Sequence, residues 1–126
     1  MSLDRSKWLR IVLTVVTLDY VVVGIGSVLL PEMFNPDATV PLLYNLISIT
    51  FGLFVFVLSL DTDKYHDFLW VLVIQEVGVV LFHLYQTVAQ IGDPFFSLTI
   101  AGFHFIYLVA IVYLEGTSLV PSFVKR

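Results

Sequence analysis

Residues Phe68–Gln90 read FLWVLVIQEVGVVLFHLYQTVAQ, an apolar run that also contains Glu76, His83 and Gln86. At about 1.5 Å of rise per residue, a helix of this length crosses the roughly 30 Å hydrocarbon core of a bilayer. Ionisable side chains are rare inside such helices, and those that occur usually face the interior of a bundle or a cavity. The stretch therefore predicts a transmembrane helix whose polar side is turned towards other helices.

The composition of the whole chain points to a membrane as well. Its 126 residues are 59% hydrophobic and only 13% charged, and the mean hydropathy is +0.97, whereas a soluble domain has about 25% charged residues. A chain of this length allows one domain, residues 1–126. The absence of cysteine excludes disulfides and thiolate metal sites. The small net charge of −4 gives no reason to expect a nucleic-acid partner.

Three further apolar runs are separated from this one by helix-breaking or charged segments. We predict four spans, at about residues 8–30, 42–60, 68–90 and 95–114. The first is longer than the apolar core of a signal peptide, so we expect it to be retained. Three prolines mark a loop over Pro31–Pro41, and the turn Asp61–Asp67 is short enough to make the second and third spans neighbours. The predicted fold is all-α, an integral membrane four-helix up-down bundle.

The basic residues indicate an orientation for this bundle. In a four-span topology all six fall on one side, and the loops on the other side contain acidic residues but no Lys or Arg. By the positive-inside rule, both termini and the middle turn are cytoplasmic, in a plasma or inner membrane. The six are Arg5, Lys7, Arg10, Lys64, Lys125 and Arg126.

Each predicted span carries one stripe of polar or small residues. Positions seven apart on a helix differ by only about 20° around its axis, so they share a face. Small residues allow helices to approach, and polar side chains pair with one another rather than face lipid. The stripes are Asp19 with Gly26; Asn45, Gly52 and Ser59 beside Ser48; Glu76, His83 and Thr87 flanked by Gln75 and Gln86; and Ser97, His104 and Glu115 near Tyr107.

The ionisable residues within the stripes are candidates for ligand binding or proton handling. No Lys or Arg lies deep in the spans, so we expect Asp19 and Glu76 to be protonated or paired with a histidine. A network that only fixes helix register is the alternative explanation, and simple packing is favoured for the amides. His66 and Glu115, near the cytoplasmic side, are expected to reach water. The candidate residues are Asp19, Glu76, His83, His104, Asn45, Gln86 and Tyr107.

The spacing of these residues argues against a metal site carried on one helix. Glu76 and His83 lie about 10.5 Å apart along a helix axis, too far to share one ion. The chain has no Glu-x-x-His or His-x-x-x-His pair of the kind found in di-iron bundles. We therefore predict no metal and leave the cofactor open, although His83 and His104 together remain a conceivable pair of ligands.

Two segments carry a family resemblance. The first, GIGSVLLPEMF, occupies residues 24–34, and the second, YNLISITFGLFVFVLSL, occupies residues 44–60. Together they resemble the first half of DoxX-like small membrane proteins. The resemblance implies a four-helix bundle, sometimes associated with respiratory or quinone-linked redox complexes. The matching residues are Gly26, Leu30, Pro31, Glu32 and Gly52.

Three functions are compatible with these features. The first is binding of a lipid-like or quinone-like amphiphile, or service as an accessory subunit of a membrane redox complex; 15% aromatic residues beside a few polar groups favour it. The second is a small proton-coupled transporter that uses Asp19. The third is a membrane enzyme that uses His83 or His104 with Glu76 on a lipid-soluble substrate. We favour the first, because the charge bias, the lack of an internal repeat and the residue spacing support the others less. Binding alone requires no enzymatic activity, and whether the chain is an enzyme is left open. Its partners would be membrane lipid, a hydrophobic small molecule or a larger complex, and a homo-oligomer is left open.

Overall fold

A computed structural model describes residues 4–34, 42–119 and 124, and the regular elements within them are all helices. Two short 3₁₀ helices, His66–Phe68 and Gly116–Leu119, accompany the α-helices. The α-helices are α1 (Arg5–Leu29), α2 (Pro31–Phe34), α3 (Leu42–Leu60), α4 (Leu69–Val88) and α5 (Pro94–Glu115).

Four of these helices, α1, α3, α4 and α5, are long and apolar enough to cross a membrane. Their bounds lie close to the predicted spans, and the largest difference is at α1, which begins at Arg5 rather than at residue 8. The predicted loop after the first span is wrong in its first four residues, since Pro31–Phe34 form one helical turn. Proline is well tolerated there because the first turn of a helix needs no N–H donor from it. The rest of that loop and the basic residues Lys125 and Arg126 lie outside the described residues.

The helices pack chiefly as two pairs. α1 lies along α3, α4 lies along α5, and the two pairs meet mainly where α1 contacts α5. That the second and third spans are adjacent stays a prediction: α3 and α4 make little backbone contact, although both contribute side chains to one buried apolar cluster. A short connection brings only the ends of two helices together and leaves the rest of their lengths free to pack elsewhere.

One apolar cluster joins all four long helices. On α1 its members are spaced by four and three residues, which places them on one face of the helix. Many large apolar side chains elsewhere on the four helices are exposed, as expected for surfaces in contact with acyl chains. The cluster consists of Leu9, Leu13, Val16, Tyr20, Val55, Leu58, Leu69, Leu72, Ile111 and Leu114.

Glycines allow the closest approach between α1 and α3. A Cβ atom added at Gly52 would lie 2.7 Å from Val21 Cγ2 and 3.2 Å from the Val21 backbone nitrogen. A Cβ atom added at Gly24 would lie 2.7 Å from Ile49 Cγ1 and 3.1 Å from the Asn45 carbonyl oxygen. Gly24 and the stripe residue Gly52 therefore serve packing between α1 and α3, whereas the stripe residue Gly26 packs against Phe34 of α2.

Candidate functional site

The centre of the candidate site is His104 on α5, which lies between two carboxyl groups from different helices. Its Nδ1 atom is 2.6 Å from Glu76 Oε2 on α4. Its Nε2 atom is 3.7 Å from Asp19 Oδ2 on α1. Three of the four long helices thus bring their ionisable side chains to one place.

The contact between Glu76 and His104 is the stronger of the two. Glu76 is completely buried and His104 nearly so, and a separation of 2.6 Å is as short as charge-assisted hydrogen bonds in proteins. Burial strengthens such a pair because the local dielectric constant is low, and it makes a missing partner correspondingly unfavourable. The pair therefore ties α4 to α5 in the middle of the membrane-spanning region.

Asp19 is in a different environment. Its side chain is 27% exposed, and it lies at the longer distance of 3.7 Å from the imidazole. The phenol of Tyr107 approaches it from α5. Asp19 therefore faces a space that other groups can enter, whereas Glu76 is sealed behind His104.

That space is a cavity of about 90 Å³. All four long helices and α2 contribute to its wall, and its lining combines aromatic rings with hydroxyl, amide, imidazole and carboxyl groups. No lysine or arginine is among these side chains. The lining residues are Asp19, Tyr20, Val23, Ser27, Phe34, Tyr44, Asn45, Ser48, Val79, His83, Phe96, Ile100, Phe103 and His104.

Three buried polar atoms at this site have no hydrogen-bond partner among the described residues: Tyr20 Oη, Glu76 Oε1 and His83 Nδ1. The Tyr20 phenol lies near the side chains of Gln75 and Glu76 on α4, without the geometry of a full hydrogen bond to either. Most buried polar side-chain atoms in proteins do have a partner, because leaving one unpaired is unfavourable. Tyr20 and His83 both line the cavity, so their unpaired atoms lie within residues of its wall.

The structure brings the sequence-predicted candidates into one region. Asn45 lines the cavity. Gln86 is buried one helical turn from His83, whose ring it approaches. Tyr107 packs edge-on against the His104 ring at a centroid distance of 5.6 Å. That these residues bind a ligand or carry protons stays a prediction.

Sequence reasoning missed Tyr20, Tyr44 and Phe34 as parts of the cavity wall. A signal for Tyr20 was present, since it continues the buried stripe of α1 four residues after Val16. Phe34 had no such signal, because its position depends on how the turn of α2 folds back towards Gly26.

His66 and Glu115 are both partly exposed, as expected, but the sequence did not predict that they pair with each other. His66 Nε2 lies 2.9 Å from Glu115 Oε2, and the two side chains are 29% and 12% exposed. The contact joins the middle connection to the end of α5. Both side chains lie beyond the apolar part of their helices, so they can pair at the surface without entering the cavity.

The geometry around His104 differs from that of a metal site. Within residues 4–34 and 42–119, no three His, Asp or Glu side chains converge as they would around one ion. His104 instead uses its two ring nitrogens to face two separate carboxyl groups. The absence of a metal remains a prediction from the residue spacing.

No protein-family model, curated protein or solved structure matches this chain.

Proposed function

We propose that this chain binds the polar head group of a lipid-like or quinone-like amphiphile in the cavity beside Asp19. Small-molecule sites are typically apolar cavities with a few convergent polar groups. The observation that carries the proposal is that Tyr20 Oη and His83 Nδ1 are buried at the cavity wall without a partner. A head group that hydrogen-bonds to them would satisfy both atoms, and the aromatic lining would contact the adjoining part of its chain.

We also propose an up-down topology with both termini in the cytoplasm. Support comes from the cavity wall, which combines Ser27 near the end of α1 with Asn45 and Phe96 near the starts of α3 and α5. Contacts far from the cavity agree, since Ser6 Oγ near the start of α1 lies 3.3 Å from Thr62 Oγ1 just after α3. In this arrangement the cavity lies in the outer half of the membrane.

Introduced cysteines test the topology cleanly, because the chain has none of its own. Glu32→Cys and Asp63→Cys each replace an exposed acidic residue. In intact cells, a membrane-impermeant maleimide is expected to label Glu32→Cys, and to label Asp63→Cys only after the membrane is opened. The reverse pattern, or equal labelling of both in intact cells, would exclude the proposed topology.

Filling the cavity with a larger side chain is expected to weaken amphiphile binding. Val79 is buried at the cavity wall, and phenylalanine there would occupy space that a head group needs, which we expect to weaken binding roughly tenfold or more. The measurement is native mass spectrometry of the detergent-purified protein with decanol, decylamine and decyl-benzoquinone as probes.

The matched control is Val109→Phe, the same substitution at an exposed position on α5. It should leave binding unchanged. If none of the three probes binds the unsubstituted protein, or if Val79→Phe binds them as well as Val109→Phe does, the proposed function is wrong.

A proton-coupled transporter that uses Asp19 is the second candidate, because this carboxyl group alone of the two acids reaches the cavity. Binding and release of a proton at Asp19 would accompany exchange of the bound molecule. Transport by reconstituted protein that is the same in Asp19→Asn would exclude it. The DoxX-like resemblance and a role as an accessory subunit remain predictions from the sequence.

A further inference from the structure

When Asp19 is ionised, its charge has no close cationic partner of its own in the cavity wall. Two acids, Asp19 and Glu76, face a single imidazole that lies between them. One imidazole can carry only one positive charge, and its shorter contact, at 2.6 Å, is with Glu76. Asp19 Oδ2 lies farther away, 3.7 Å from His104 Nε2, and the cavity wall beside it contains no lysine or arginine.

The unpaired polar atoms give this site a second property, the capacity to accept hydrogen bonds. Tyr20 and His83 are more than nine-tenths buried and line the cavity. Tyr20 Oη accepts through its lone pairs, and His83 Nδ1 accepts when its ring carries the proton on Nε2. With the Asp19 carboxylate, the wall therefore offers three acceptors from two helices.

We propose that the head group bound in this cavity is a primary ammonium, as in a long-chain alkylamine. A primary ammonium has one positive charge and three N–H donors, which match the unbalanced carboxylate and the three acceptors at Asp19, Tyr20 and His83. Aromatic rings beside it add cation–π attraction, and Tyr44, Phe96 and Phe103 line the same cavity. The inference rests on the proposed function and names the chemical class of its ligand.

A neutral head group fits the same wall less well. An alcohol brings one donor and no charge, so two of the three acceptors stay without a donor; a quinone carbonyl brings no donor, so all three do. A quaternary ammonium supplies the charge but no N–H group. A comparison of four probes thus separates the contribution of charge to binding from that of hydrogen bonding. The probes are decylamine, decanol, decyl-benzoquinone and decyltrimethylammonium.

The experiment compares the affinities of these four probes for the full chain in an uncharged maltoside detergent at neutral pH. Decylamine is expected to bind on the order of tenfold more tightly than decanol, with decyltrimethylammonium between them. In Asp19→Asn the preference for decylamine over decanol should fall to about one. Glu32→Gln is the matched control, since it removes an exposed acid outside the cavity and should preserve the preference.

The outcomes are distinguishable. Tight binding of decanol or decyl-benzoquinone with no preference for decylamine would overturn the ammonium inference and leave amphiphile binding intact. Failure of all four probes would overturn both. An equal loss of preference in Asp19→Asn and Glu32→Gln would attribute the effect to the overall charge of the protein and also overturn the inference. A circular dichroism spectrum and a gel-filtration profile of Asp19→Asn that match those of the unsubstituted protein show that this variant keeps its fold.

Discussion

Replacing His104 with leucine is expected to lower the free energy of unfolding by about 3 kcal/mol, because removing one partner of a buried ion pair leaves the other uncompensated. The uncompensated group is Glu76, which is fully buried and contacts His104 at 2.6 Å. The measurement is reversible unfolding of the purified protein in mixed micelles, followed by circular dichroism as the denaturing detergent is increased.

The control is His66→Leu, which removes another histidine that contacts a carboxylate. His66 is 29% exposed, so solvent screens the pair and the expected change is only about 0.5 kcal/mol. Equal destabilisation by the two substitutions would contradict a special role for the buried pair. A fully stable His104→Leu protein would show that Glu76 does not depend on the imidazole.

Replacing Gly52 with leucine is expected to lower the free energy of unfolding by a similar amount, about 3 kcal/mol, because overpacking forces the two helices apart. The added Cβ alone would lie 2.7 Å from Val21 Cγ2 and 3.0 Å from Tyr20 Cβ. The matched control is Gly78→Leu on α4, where an added Cβ meets nothing within 4 Å.

Gly78→Leu should be neutral or stabilising, by up to about 0.7 kcal/mol, since leucine favours a helix more than glycine does. The same unfolding measurement applies to both variants. If Gly52→Leu is as stable as Gly78→Leu, α1 and α3 are not packed through Gly52 as described.

The sequence predicted the long helices because the length and apolarity of each run depend on residues close together in the chain. Leu42–Leu60 has the predicted bounds, and the other three helices differ by one to three residues at an end. The polar stripes were predictable for the same reason, since periodicity shows which residues share one face of a helix. Glu76 and His104 were therefore expected in the interior before any neighbour was known.

The choice of neighbours was not predictable in this way. A stripe gives a direction around its own helix axis, but it does not identify the helix it faces. The turn Asp61–Asp67 thus suggested contact between the second and third spans, whereas α1 packs on α3 and α4 packs on α5. The pairing of His66 with Glu115 also depends on how chain segments far apart in sequence meet.

The cavity was the feature least predictable from the sequence, because residues of five helices together form its wall. Asp19 and His83 were candidates on account of their chemistry, but the unpaired phenol of Tyr20 becomes apparent only when its surroundings are known. Phe34 reaches the wall through a helical turn in a segment where proline predicted a loop.

A double-mutant cycle on Glu76 and His104 tests most directly whether these polar side chains face each other inside the bundle. The proteins compared are Glu76→Leu, His104→Leu and the variant with both changes, each unfolded in mixed micelles. We predict that the free energy of unfolding of the double variant is about 2 kcal/mol higher than the two single losses would give if they simply added. The reason is that removing both partners leaves no uncompensated charge. If the two single effects add to within about 0.5 kcal/mol, the two residues are not in contact. That result would contradict the claim that the polar side chains face each other inside the bundle.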